Sequence, residues 1–436
     1  MGGGLIQLLA WGSQNIKLNG NPSITFFKKV LKSHSNFSME STRVNLNRTD
    51  ANIYENTIFK TKLPRHGDLL QQIYLVLELP DIKTNVYDFK WIENIGEAII
   101  DNYFINIGGV LADKQYGEYL HINNMLCIGV DKRGIYDKMI GNIPLLTNPK
   151  ALTGTYPIIN PVIPSRKLYI PLNFWFNKDS GSSLPLVCLQ YSDTEITIEL
   201  RPIYQLYKLF ILGQTRAPIK VNQNELLHNF VYNDNVNYMV GTNVIDIKAY
   251  LEVNYYFVDN KERQQIVNNS HEYLIEQTFK IDRFNLSSDT NIFELVLQNP
   301  VKEFIWVLKR TDLNLTNDWF NFTDVNTSIL KSAKIMFNGI DRIDEKDWGY
   351  FNYLQPYQHH KSNPKDGIYV YSFSIFPDDN SQPSGSCNMS RINKIQIMLN
   401  LIKPLTSLYS YDLSMYVINY NFLKITSGLA GIVFSN

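Results

Sequence analysis

Two blocks of this chain occur twice, in the same order, roughly 200 to 230 residues apart. The first pair is INIGGVLADKQYGEYL at 105–120 and IMFNGIDRIDEKDWGYFNYL at 335–354. Each runs apolar residues into a glycine, Gly109 or Gly339, then through a polar stretch to an aromatic–glycine pair, Tyr116–Gly117 or Trp348–Gly349. The second pair is KLYIPLNFWFNKDSGSSLPLVCLQYSDTEITIEL at 167–200 and GIYVYSFSIFPDDNSQPSGSCNMSRINKIQIMLNL at 367–401. Both read as strand, polar Gly/Ser loop, strand. So long an offset exceeds any solenoid or propeller period and requires two copies of a whole domain. The 436 residues are also too many for one sandwich and suit two compact units.

Within each half the strong segments are short and alternate with a period near two: QIYLVLELP, KLYIPLNFWF, TEITIEL, KAYLEVNYYFV, FELVLQN and KIQIMLNL. Turn formers separate them, as in PRHGD, NKDSGSS and PDDNSQPSG. Aromatics make up 13% of the chain, with 27 Tyr and 23 Phe, a bias toward pleated, half-buried surfaces. The best helical stretches are WIENIGEAIIDNYF, DKQYGEYLHINNML and DNKERQQIVNN, which read as connectors on a β frame. The predicted fold is all-β: two tandem eight-stranded jelly-roll β-sandwiches with a few short connector helices. The segment QLYKLFILGQTRAPIKVNQNE, after the first Gly/Ser-loop unit, places the boundary near residue 215. This gives an N-terminal arm over 1–24, a first jelly roll over 25–215 and a second over 216–436.

Several blocks carry a resemblance to one family. In the first half they are GGLIQLLAWGSQNIKLNGNPSITFFKKVLKSHSNFSMES, PRHGDLL and WIENIGEAIIDNYFINIGG with the following DKQYGEYL. In the second they are HEYLIEQ, NPVKEFIWVLKR, NGIDRIDEKDWGYFNYLQPYQHH and GIYVYSFSIFPDDNSQPSGSCNMSRI. From Gly3 to about Phe422, in family order, the text resembles the major capsid proteins of nucleocytoplasmic large DNA viruses, including those of algal viruses, iridoviruses and mimivirus relatives. The resemblance implies a tandem jelly roll that trimerises into a capsomer and tiles an icosahedral shell over an inner membrane. It places the protein in the virion, assembled in the host cytoplasm. The implied partners are further copies of the chain, minor capsid proteins and the inner viral membrane. Three chains with two sandwiches each present six lobes, and such a pseudo-hexagon tiles a surface densely. The rival from another class is a viral glycan-binding attachment protein, since exposed aromatics on jelly rolls stack on sugars. A jelly-roll carbohydrate-active enzyme is the third reading.

Composition narrows the function further. Lys plus Arg and Asp plus Glu stand at 41 each, so no global basic field gathers phosphates, and direct sequence-specific nucleic-acid binding is not expected. Cys127, Cys188 and Cys387 are far apart and form no CxxC pair, so neither a zinc knuckle nor a disulfide framework is indicated. The apolar opening GGGLIQLLAWG has no basic residues ahead of it and no cleavage site, which makes a poor signal peptide. Gly2 suits myristoylation only if Ser or Thr stands at position six, where Ile6 is found. No window reaches the 18 or more apolar residues of a spanning helix.

GxSxG, HExxH and GxxxxGK[ST] do not occur, so no enzyme, cofactor or catalytic residue is predicted. The acidic run Asp341, Asp344, Glu345 and Asp347 lacks EF-hand spacing and is interleaved with Arg342 and Lys346, which predicts a solvated, self-paired turn rather than a calcium site. The side chains of His359 and His360 diverge along an extended chain, and no Cys or His sits at ligand spacing nearby, so no metal site is expected. Glu97 and Asp101 are spaced to share a helix face and read as helix surface charges. The sequons at Asn36, Asn47, Asn268, Asn285, Asn314, Asn321, Asn326 and Asn388 follow from a composition rich in Asn, Ser and Thr, and none is assigned as a glycan site. Lys28, Lys29 and Lys32 fit a lysine-fringed edge strand better than an inner-face anchor on anionic lipid. The polar loops at 177–185 and 377–386 are expected on the surface.

Overall fold

The computed structural model describes residues 3–10, 12–13, 16–48, 55–151, 161–213, 218–231 and 247–434. It divides into Met1–Asn36 and Phe37–Asn436. The N-terminal unit holds a helix at Gly3–Leu9 and a single helical turn at Ile16–Asn19. The segment 20–36 contains no strand, because KKVLK has no period-two alternation to present one apolar face. Lys28, Lys29 and Lys32 therefore sit on irregular chain and not on the expected edge strand. Gly2 lies outside the described residues.

In the larger unit, eight long strands build the first sandwich: β1 (Phe37–Asn45), β2 (Thr57–Lys62), β3 (Leu69–Leu79), β4 (Ile100–Ile107), β5 (Val110–Tyr116), β6 (Arg166–Pro171), β7 (Thr194–Leu200) and β8 (Lys248–Val258). They pair antiparallel as β1-β8-β3-β6 and β2-β7-β4-β5. Eight more follow: β9 (His271–Leu286), β10 (Thr290–Leu295), β11 (Pro300–Arg310), β12 (Leu330–Phe337), β13 (Ile340–Asp347), β14 (Ile368–Ser372), β15 (Ile395–Leu401) and β16 (Tyr411–Thr426). Their order is β9-β16-β11-β14 and β10-β15-β12-β13, the first pattern repeated strand for strand. Each is a jelly roll, and the duplication inferred from the text is a duplication of topology.

The repeated blocks fall on equivalent elements. Both glycine-containing motifs are the two-residue hairpins β4–β5 and β12–β13, whose turns place Gly108 and Gly109 at φ +60° and +81°, and Asn338 and Gly339 at +51° and +81°. Two successive positive φ values match the twist of the strands, and glycine or asparagine accepts them at least cost. The aromatic–glycine pairs then open helical segments at Gly117–Cys127 and at 350–359.

The boundary expected near residue 215 lies outside the described residues. Strand β8, well beyond it, runs between β1 and β3, where Leu251 faces both Val44 and Leu75. Without β8 the first sheet would lose its central strand and expose two unpaired edges, so the first sandwich extends past 215. The helix Asn260–Asn268, foreseen in DNKERQQIVNN and capped by the Asp259 side chain on the Glu262 amide, connects β8 to β9. Of the predicted helix over WIENIGEAIIDNYF only Ile95–Ala98 is helical, and its last five residues lie in strand β4; in DKQYGEYLHINNML the helix starts at Gly117, after β5. In both cases antiparallel strand pairing outweighs a weak helical period.

Candidate functional site at the junction between the sandwiches

Strand β11 is apolar on both faces. Phe304, Trp306 and Leu308 point into the second sandwich, while Ile305 and Val307 join a separate buried cluster on its outer side. β14 and β16 alternate in the same way, sending Ile368, Val370, Tyr416 and Ile418 outward. A sheet buried on both faces needs a cover, and the helix Gly117–Cys127 of the first sandwich supplies it. Tyr119, Ile122 and Leu126, at helical spacing, pack onto that outer face. Burial of each such side chain contributes roughly 1.5–3 kcal/mol. Gly117 lets the helix start against β4: a Cβ there would lie 2.0 Å from the Ile100 carbonyl oxygen and 2.6 Å from that of Glu97.

Polar groups rim this contact. Lys309 on β11 pairs with Glu118 on the helix. Gln277 Nε2 on β9 donates to the Ala112 carbonyl at 2.7 Å, and the Thr278 amide donates to Asp113 Oδ1 at 3.4 Å. Burial pushes the Asp113 carboxyl up to about 7, against the opposing hydrogen bond from Gln115. Glu276 receives Lys178 at 2.7 Å from the first sandwich and Lys302 from the second. Burial alone would raise its carboxyl, but the two ammonium groups bring it down to about 2.

The two polar loops expected on the surface meet each other at this junction. Their tips, Ser180 and Gly181 in one and Ser381 to Pro383 in the other, are exposed. Pro377 and Asp378 are buried, and Lys178 lines a cleft of about 640 Å³ together with His359, His360, Asp378, Asp379 and Ser381. His359 and His360 do diverge: His359 Nδ1 lies 3.0 Å from the Ile375 carbonyl oxygen, whereas the His360 side chain is 1% exposed and contacts Asp378. No spacing signal in the sequence joins Lys178, Glu276, Lys302, Glu303 and Asp378, which come from four separate segments.

Other residues singled out in the sequence stand elsewhere. Glu97 is not a surface charge: it is 1% exposed and accepts from His121 Nδ1 at 2.6 Å, the Tyr136 hydroxyl at 2.5 Å and Asn124 Nδ2 at 2.9 Å. Burial would raise its carboxyl, and these partners hold it below the ordinary range. Asp101, on β4, bonds Arg201. The acidic run forms strand β13 instead of a turn; it is solvated and paired, Asp341 with Lys334 at 2.8 Å and Glu345 with Asn400 Nδ2 at 2.8 Å. Asn36, Asn47, Asn268, Asn285, Asn326 and Asn388 are exposed and Asn321 is half-buried; the side chain of Asn314 lies outside the described residues. The three cysteines are free. No helix among the described residues is long and apolar enough to cross a membrane.

Two jelly rolls of identical strand order, locked by a helix of one on a sheet of the other, define a double jelly-roll protein. Residues 25–262 match the family model described as the major capsid protein N-terminus, and 262–431 match that of the large eukaryotic DNA virus major capsid protein. The chain is 32% identical to probable capsid protein 4 of Acanthamoeba polyphaga mimivirus and 30% identical to the major capsid protein of Phaeocystis pouchetii virus, covering 100% of both partners in each comparison. Its fold is similar to that of the Faustovirus major capsid protein, with a TM-score of 0.74 at 13% identity over 95% of this chain and 94% of that one. The chain belongs to the major capsid proteins of large eukaryotic DNA viruses. Its role is structural, as part of the virion.

Proposed function

We propose that three copies of this chain associate into a pseudo-hexagonal capsomer that tiles an icosahedral shell. The repeat of one strand order in two sandwiches of a single chain carries this reading, because three such chains supply six similar lobes about a three-fold axis. The junction serves that role by fixing the two lobes of one chain in a set relation, without which the hexagon would not close. Permanent trimers of this kind bury on the order of 2,000 Å² or more per interface. Assembly takes place in the host cytoplasm. Contacts with minor capsid proteins and an inner membrane fall on the inner face, and no catalytic activity is assigned.

We also propose that the chain divides into an arm ending near Asn36, a first jelly roll closing with β8 and a second starting at β9. This departs from the 215 boundary, and the membership of β8 in the first sheet supports it.

Light scattering of the purified chain tests the trimer. Three chains of 50.5 kDa give 151.5 kDa, and electron microscopy of that species should show six lobes. A monomer at micromolar concentration would overturn the reading.

A further inference from the structure

We infer that Cys127, His360 and Asp378 form a divalent transition-metal site, of the zinc class, that clasps the two sandwiches together. Cys127 ends the helix of the first sandwich, while His360 and Asp378 belong to the second. One donor atom from each lies within 4.8 Å of the others. His360 Nδ1 is 2.8 Å from Asp378 Oδ1, and Cys127 Sγ is 3.1 Å from the same oxygen. Tetrahedral coordination with bonds of about 2.0–2.3 Å places ligand atoms roughly 3.3–3.6 Å apart, so the His360–Asp378 and Cys127–Asp378 pairs need to spread by only about 0.5 Å to admit an ion.

The surroundings aim these donors inward. His360 Nε2 faces Glu303 Oε2 at 3.3 Å, both buried and with no other hydrogen-bond partner among the described residues. A carboxylate behind the far nitrogen of a ligating histidine fixes the ring tautomer and leaves the near nitrogen's lone pair for the metal. Asp378 is held likewise: its Oδ2 accepts the Lys361 amide at 2.7 Å, which leaves Oδ1 turned toward Cys127 and His360. The cleft beside His360 and Asp378 gives an ion access and leaves a fourth position open.

Charge also favours a cation: around the site the carboxylates of Glu276, Glu303 and Asp378 outnumber the ammonium groups of Lys178 and Lys302. A soft thiolate with an imidazole and a carboxylate in tetrahedral array selects zinc over calcium or magnesium.

Cobalt(II), added to the reduced full-length protein as a spectroscopic stand-in for zinc, tests the site. The expected result is one cobalt per chain with a thiolate-to-metal charge-transfer band, lost in Cys127→Ser and kept in Cys188→Ser and Cys387→Ser. Zinc should raise the melting temperature of the wild type and not that of Cys127→Ser. Should Cys127→Ser fail to fold, Asp378→Asn serves in its place and should bind cobalt at least about tenfold more weakly. No charge-transfer band at one equivalent, or a band unchanged in the folded variants at 127 and 378, would overturn the site.

Discussion

Lys178 reaches across the junction to Glu276 at 2.7 Å, and Lys302 holds the other oxygen of the same carboxylate. One half-buried anion thus ties the Gly/Ser loop of the first sandwich to two strands of the second. Replacing it leaves Lys302, 3% exposed, with its charge poorly compensated. Glu276→Gln should destabilise the protein by about 3 kcal/mol at pH 7. The carboxyl is held at about 2 against an ordinary 4.5, so its stabilisation is present above 4.5 and is lost as pH falls toward 2. The difference between variant and wild type in thermal unfolding should shrink across that window. A gap that stays constant down to pH 3 would refute the pairing.

Asp113 gives the opposite sign. Its folded-state carboxyl titrates near 7 against an ordinary 3.8, so the folded protein keeps a proton that the unfolded chain has released. Stability falls as pH rises from 3.8 to about 7 and stays reduced above it. Asp113→Asn carries no such penalty, and Gln115 Oε1, without a partner among the described residues, is available to accept from the new amide. The variant should match wild type near pH 4 and gain up to about 4 kcal/mol by pH 8, read from denaturant unfolding across pH.

Gly117 and Gly349 occupy the same place in the two repeats but differ in surroundings. A Cβ on Gly117 meets two backbone carbonyl oxygens, which cannot move without shifting β4. On Gly349 it meets the Asp347 carboxylate at 2.9 Å, the mobile end of a side chain. Gly117→Ala should cost about 3 kcal/mol and Gly349→Ala under about 1 kcal/mol. Equal melting temperatures for the two variants would show that the close approach at Gly117 is not rigid.

Leu126 is fully buried between the helix and the outer sheet of the second sandwich. Leu126→Ala should cost about 3 kcal/mol through the lost burial and the cavity left behind. Because the loss falls on the contact that couples the sandwiches, calorimetry should show the single unfolding transition broadening or splitting in two. An unchanged sharp transition would place the coupling elsewhere.

Local pattern determined the all-β class and the doubling. Period-two alternation survives wherever one face of a strand meets a core, and the paired positive φ values at 108–109 and 338–339 require glycine or asparagine wherever the turn occurs. The family likeness also lay open in the text, since the blocks run in order through the chain. Tertiary structure alone decided which sheet β8 completes, because β8 is far along the chain from the strands it joins and nothing local in KAYLEVNYYFV records that pairing. It alone turned Glu97 inward, since a four-residue helix packed under β4 has no solvent face to offer. The junction was hidden for the same reason. Cys127, Glu276, Glu303, His360 and Asp378 come together only when two sandwiches dock, and no spacing along one chain records a distance set by packing between its halves.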